Sequence, residues 1–371
     1  MPSCRITLLT EIPAPFRIPL FNALAAQPDA ELEVLFLSGL DPKRPYPIYA
    51  DEFEFGWRIL RGWELRRHGR WTVFSRGVLR ALITSRPSVI VIGGWNQPAF
   101  WMAALYGRLT RTPLVAWVES TARDERTQAR WIEVLKRALT RVCRAFLVPG
   151  NASAEYLVSL GVDPERIQHA PNAVDIYIFG HNVREARSDR ERLRAELGLG
   201  RCTFLYVGRL DPEKGVDLLL AAARSVEADF VIIGTGSDAD RLAASAPANV
   251  RFIGRLERDD LVPWYAAADA FVLPSYSDQW GMVLNEAATA GLPLISTDAA
   301  GAAHDLIVEN ENGFRVAAGS EPELAAALTR VAADEAFRAR AAARSVEIAS
   351  SYTPAAWAEA VMELCRRILK L

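Results

Sequence analysis

The sequence predicts an α/β chain made of two doubly wound halves facing across a cleft. Two observations carry this. Short runs of continuous apolar residues alternate with longer Ala-, Leu- and Arg-rich helical stretches, which is the pattern of a parallel sheet covered on both faces. The series also occurs twice, and 371 residues suit two domains of roughly 100–200 residues each.

The strands of the first half read as RITLLT, LEVLFL, SVIVIG, LVAWV and AFLVPG. Those of the second half read as TFLYVG, FVIIG, AFVLPS and LPLIST. Each ends near Gly, Pro, Ser or Thr, which favour turns. The stretch APNAVDIYIFGHNVREARSDRERL begins with Pro171 and becomes densely charged, so it reads as a linker entering a helix. The first domain is expected over residues 1–178 and the second over 179–354. From Glu321 the chain is Ala-rich and helical, and Pro354 is expected to break it. In residues 355–371, Trp357, Val361, Leu364, Ile368 and Leu371 recur at three- and four-residue steps. That stripe marks an amphipathic helix, expected to pack back on the first domain.

Composition narrows the function. With 43 basic and 45 acidic residues the net charge is −2, which argues against a protein that coats nucleic acid. The total hides a split. Residues 1–175 carry 22 basic and 17 acidic residues, and the remainder 21 and 28. Only four basic residues are lysines: Lys43, Lys136, Lys214 and Lys370. Cys4, Cys143, Cys202 and Cys365 form no CxxC pair, and His68, His169, His181 and His304 are equally scattered. The expectation is reduced thiols, a cytoplasmic setting and no metal site. The N-terminal sequence lacks the long apolar core of a secretory signal. No apolar run approaches the ~20 residues that span a bilayer.

Chemistry concentrates in two loops. In TFLYVGRLDPEKGVDLLL a buried strand ends at Gly208 and a helix restarts near Val216. Between them stand Arg209 and Lys214, two cations before a helix N-terminus, which suit a diphosphate. The alternative is a solvated loop with Lys214 paired to Asp211 or Glu213. In AFVLPSYSDQWGMVLNEAATAGLPLISTD a helix begins near Gly281. Its first amides, at Gly281, Met282 and Val283, lack intrahelical acceptors and can hold an anion. Glu286 can accept two hydrogen bonds from a ribose diol, and Asp278 can hold sugar hydroxyls. Their alternatives are a surface charge and a helix cap. FVIIGTGSDADRL carries Gly234 and Gly236 but no third glycine in register, so it reads as a tight strand-to-helix turn.

These residues resemble a known family. VGRLDPEKGVDLLL, VIIGTGSDADRL, VRFIGRLERDDLVPWYAAADAFVLPS and SDQWGMVLNEAATAGLPLISTD, with PNAVD before them, resemble the nucleotide-sugar half of the retaining GT-B glycosyltransferases of family four. The resemblance covers most of residues 171–300 in order, and the first half is similar in layout. It implies a GT-B fold of two Rossmann-like domains. It also implies transfer of a sugar, with retained configuration, from a nucleoside diphosphate sugar.

On this resemblance Arg209 and Lys214 neutralise the donor diphosphate, Glu286 holds the ribose and Asp278 contacts the donor sugar. Gly281, Met282 and Val283 meet the phosphates, Gly208 and Gly236 line the donor, and the backbone of Leu256 lies near the nucleobase. The sequence departs from the family at three places. Asp278 stands where a glutamate is usual. EIPAPFRIPL holds no glycine where a Gly-Gly loop is usual. Glu119 stands where a histidine is usual. Arg17, in that loop, and Glu119 are the acceptor-side candidates.

With two cations and a helix N-terminus to stabilise the leaving group, no cofactor or metal is expected. The acceptor expected is a glycan or a lipid-linked molecule, in bacterial surface polysaccharide or glycolipid synthesis. Residues 57–86 hold eight arginines and one glutamate, with Trp57, Trp63 and Trp71 among them. Residues 123–144 hold seven basic and three acidic residues. Such runs suit an anionic membrane surface, which would place the protein peripherally on the inner face. They equally suit a solvated helix face with buried tryptophans. A nucleotide-sugar epimerase of the same fold, or a catalytically silent nucleotide-binding subunit, are the competing readings. A dehydrogenase would need the missing glycine fingerprint.

Overall fold

A seven-stranded parallel sheet and a six-stranded parallel sheet organise the chain. The computed structural model describes residues 3–40, 47–67, 70–75, 77–123 and 130–370. Lys43, His68 and Leu371, named above, lie outside them, as do residue 76 of the run 57–86 and residues 124–129 of the run 123–144. By contacts, residues up to Ala122, those to Asn172 and those from Pro354 form one unit; Arg123 and Ala173–Thr353 form the other.

In the first unit the elements run β1 (Cys4–Thr10), α1 (Ile18–Ala25), β2 (Ala30–Phe36), β3 (Gly56–Ile59), β4 (Gly62–Arg67), β5 (Arg70–Ser75) and α2 (Gly77–Ser85). They continue as β6 (Val89–Ile92), α3 (Pro98–Thr110), β7 (Leu114–Trp117), α4 (Arg130–Val142), β8 (Ala145–Val148), α5 (Asn151–Ser159) and β9 (Ile167–His169). The sheet order is β3-β2-β1-β6-β7-β8-β9, parallel throughout. Strands β6, β7 and β8 are buried at every residue, as their unbroken apolar runs require.

Strands β4 and β5 form a separate antiparallel hairpin between β3 and α2. This corrects the helix-face reading of residues 57–86, half of which lie in strands β3, β4 and β5, with only α2 helical. Aromatic and β-branched residues, Trp63, Trp71, Thr72, Val73 and Phe74, favour a pleated ribbon over a helix. Trp57 and Trp63 are also exposed rather than buried.

The second unit runs α6 (Ile178–Arg187), α7 (Arg190–Glu196), β10 (Thr203–Val207), α8 (Val216–Ala223), β11 (Asp229–Ile233), α9 (Ala239–Ala244), β12 (Val250–Gly254) and α10 (Val262–Ala267). It continues β13 (Ala270–Leu273), α11 (Met282–Thr289), β14 (Leu294–Thr297), α12 (Ala303–Leu306), β15 (Gly313–Val316), α13 (Glu321–Ala333) and α14 (Glu335–Ala349). Its sheet order is β12-β11-β10-β13-β14-β15, again all parallel. The order reverses between β10 and β13. Ligands of such sheets bind in the crevice beyond the carboxyl ends of the two strands that flank this switch point.

The last helix, α15 (Pro354–Leu369), returns to the first unit and packs on α1. Proline opens it, at a position where a missing N–H costs nothing. Trp357, Val361 and Leu364 from the predicted stripe are buried, and Trp357 meets Phe21 at 6.1 Å and Trp117 at 5.1 Å. Among the described residues, no helix is long and apolar enough to cross a membrane.

Candidate active site

The loops after β10 and β13, which flank the switch point, carry Arg209, Lys214 and Asp278 of the predicted donor residues. They are laced together by backbone bonds: Tyr276 N–H and Ser277 N–H donate to the carbonyl of Glu213, at 2.9 and 3.2 Å. This fixes Lys214, just before α8, beside Asp278, in the loop before α11. Lys214 Nζ donates to Asp278 Oδ2 at 2.5 Å, and both side chains are largely shielded from water.

Arg209, from the first of these loops, is held by Asp211 and by Glu213, the latter at 2.8 Å. The sequence alternative that paired Lys214 with Asp211 or Glu213 is therefore corrected: those carboxylates belong to Arg209. Burial pushes the Glu213 carboxyl up, but its own backbone amide and Arg209 outweigh this and hold it below the usual carboxylate value. The second oxygen of Asp211 accepts from the Ser237 amide and hydroxyl, at 3.0 and 3.1 Å, which ties Arg209's partner to the loop after β11.

Helix α11 follows Gly281, whose φ of 92° lies in the left-handed region that glycine enters freely. The sharp entry brings the first amides, at Met282 and Val283, directly after the Asp278 loop. Glu286 follows on α11, half-buried, with Tyr265 Oη donating to its Oε2 at 2.6 Å. Burial raises the pKa of Glu286, and the Tyr265 bond works against that rise. Neither the surface-charge reading of Glu286 nor the capping reading of Asp278 describes these positions.

The other donor-side positions differ in kind. The Gly208 amide donates to Ile233 carbonyl at 3.0 Å, inside the protein. Gly236 lies against the backbone of Leu210, which a Cβ there would strike, so contact between two loops accounts for this glycine. Leu256 packs half-buried against the core of the second unit. Among the described residues, no group of three or more His, Cys, Asp and Glu side chains is placed to hold a metal.

Arg17 and Glu119 lie in the first unit and pair with each other at 3.2 Å. Arg17 also donates to Thr10 Oγ1 at 2.7 Å and lies over the Trp117 ring at 4.5 Å. Asn172 Nδ2 donates to Glu119 Oε1 at 3.0 Å. At the corresponding switch point of this sheet, between β1 and β6, Glu11 Oε1 accepts from Asn96 Nδ2 and Gln97 Nε2, both at 2.7 Å. Sequence reasoning missed Glu11, Asn96 and Gln97, and in the second unit it missed Tyr265. The place of Glu11, right after a strand, was the available signal; the partners required the fold.

A doubly wound unit with two cations and a helix N-terminus at its switch point has the features that suit a phosphorylated ligand. The comparisons with known proteins are more specific. Residues 189–347 match the model of glycosyl transferases group 1, and residues 21–177 match that of glycosyltransferase family 4. The two matches take in most of the chain, which belongs to this glycosyltransferase family.

A D-inositol 3-phosphate glycosyltransferase of Thermomonospora curvata is 28% identical over 314 residues, covering 75% of this chain and 72% of the relative. A GDP-mannose-dependent alpha-mannosyltransferase of Mycobacterium tuberculosis is 34% identical over 57% of this chain and 54% of its own length. Among solved structures, the HepE protein of Anabaena in complex with UDP covers 100% of both chains with a TM-score of 0.77 at 19% identity, a likeness of fold.

Proposed function

We propose that the protein transfers a sugar from a nucleoside diphosphate sugar to an acceptor hydroxyl, with retention at the anomeric carbon and without a metal. The observation that carries this reading is the placement of Lys214 and Asp278 together at the switch point, ahead of the α11 amides. The family membership and the UDP held by HepE support it.

In this reading the donor diphosphate takes Lys214 from Asp278 and engages Arg209 and the first amides of α11. Asp278, freed, accepts from hydroxyls of the sugar. Glu286 accepts from the ribose. As the sugar–oxygen bond breaks, negative charge grows on the diphosphate, and the two cations and the helix N-terminus stabilise it in place. The acceptor belongs to the first unit, where Glu11 with Asn96 and Gln97, and Glu119 with Arg17, present carboxylates to hydroxyl groups.

The β4–β5 hairpin supports a lipid-linked acceptor and a peripheral position on an anionic membrane. Trp63, Leu65 and Phe74, on one face of the ladder, are 64%, 52% and 44% exposed, and Arg58, Arg61 and Arg66 are exposed nearby in the chain. Apolar side chains among arginines suit an anionic headgroup layer. Synthesis of a surface polysaccharide or glycolipid is the matching role.

A panel of nucleoside diphosphate sugars in EDTA, with the product's anomeric configuration read by NMR, tests the reaction. Transfer with retention is expected. Inversion, or dependence on an added metal, would overturn the mechanism. Conversion of the donor to an epimer without transfer would favour the epimerase, and nucleotide binding without turnover the silent subunit.

A further inference from the structure

Tyr265 holds the carboxylate proposed to bind the ribose. Its side chain is fully buried, yet its hydroxyl ends on Glu286, at the half-buried edge of the donor site. The ring has little freedom. It stacks on Phe271 of β13, with centroids 6.0 Å apart, and stands edge-on to Phe179 of α6 at 5.3 Å. Its own carbonyl accepts from Arg187 Nη2 at 3.0 Å, and the next carbonyl, of Ala266, from Arg187 Nε at 3.2 Å. The phenol oxygen therefore has one place to be.

A carboxylate offers about four lone-pair sites, and a phenol fills one. Withdrawing a carboxylate from water is costly unless its oxygens find donors. Packing alone would be better served by a leucine at position 286. An acid there, steadied on one oxygen by a rigid buried donor, is suited to receive two further donors from a ligand. A vicinal diol supplies two.

We propose that Tyr265 is a positioning residue for the nucleotide ribose, clamping Oε2 of Glu286 so that the carboxylate is aimed at the diol. The proposal rests on reading Glu286 as the ribose ligand. Without the phenol the carboxylate loses its fixed orientation. It also loses the bond that opposes the effect of burial on its charge, and so takes up a proton at higher pH.

Titration calorimetry on the full chain tests this, using UDP and GDP in their ribo and 2′-deoxyribo forms between about pH 5 and 8. The wild type should bind one ribonucleotide about 10-fold tighter than its 2′-deoxy form, as expected for hydrogen bonds to a charged group. Tyr265→Phe should lose most of that preference, and its affinity should begin to fall at a higher pH as acid is added. Tyr265→3-fluorotyrosine keeps the ring's shape and donates more strongly, so its affinity should persist to lower pH; it also serves if the phenylalanine variant does not fold. A preference and pH profile unchanged in both variants would overturn the role of Tyr265 alone. If the wild type itself ignores the 2′-hydroxyl, the ribose reading of Glu286 falls, and the clamp with it.

Discussion

Asp278 has two duties in the proposed reaction, and they pull nucleotide affinity and turnover in opposite directions. Without donor it neutralises Lys214 at 2.5 Å. With donor it turns to the sugar. Asp278→Asn should therefore bind a bare nucleoside diphosphate more tightly than the wild type, because Lys214 is no longer engaged by a charge. Its turnover should be at least ~10-fold lower, since a hydrogen bond to a charged group contributes about 1.5–3 kcal/mol. Nucleotide titration beside steady-state kinetics separates the two effects.

Glu286 gives a pH signature. Its folded pKa is raised by burial, so ionisation opposes folding as pH rises through that value, and the group's relative contribution to stability is greatest under acid conditions. Glu286→Gln should accordingly be the more stable protein at neutral pH, with the difference vanishing in acid, as thermal melts across pH would show. These residues were legible one at a time because each stands beside a turn signal or a helix start. Their pairing was not, because Lys214 and Asp278 are 64 positions apart and only the lacing of two loops joins them.

Elements differed in legibility for a physical reason. The nine strands read from sequence have unbroken apolar cores, because helices cover both faces of their sheets. Those missed are sheet-edge or hairpin strands: β3, β9, β12 and β15 at the edges, and β4 and β5 in the ribbon. Edge strands mix polar and apolar residues, as IQH in β9 and VRFIG in β12 do, and their place is set by backbone pairing rather than by pattern. The ribbon's exposed face yields a prediction. Trp63→Asp with Leu65→Asp should abolish flotation with anionic vesicles while leaving stability within about 0.5 kcal/mol, as for other surface changes. Helix α15 yields another. Trp357 is fully buried against the first unit, so Trp357→Ala should lower unfolding free energy by about 3–5 kcal/mol in denaturant titration.

At the scale of the molecule, the two sheets share one plan. If the ribbon is set aside, both begin at a central strand, build outward on one side, then cross and build on the other. The repetition was visible in the sequence as two series of apolar runs. The switch points were not, because strand order is a tertiary fact, and the candidate residues Glu11, Asn96 and Gln97 in one unit, and Lys214 and Asp278 in the other, lie in the loops that flank them. Charge follows the same division. The residues up to 175 are net positive, which suits an anionic acceptor surface; the remainder is net negative, and there Lys214 and Arg209 are the cations proposed to meet the donor.

In the proposed reaction the role of Lys214 is to stabilise the departing diphosphate of a nucleotide sugar. Its most direct test is the turnover of the preferred donor, in EDTA, by the wild type and by Lys214→Ala. Sugar transfer by the wild type is expected, with a kcat lower by ~10²–10³ in the variant, the loss typical of one preorganised charge-stabilising donor. Equal turnover by the two proteins would contradict it.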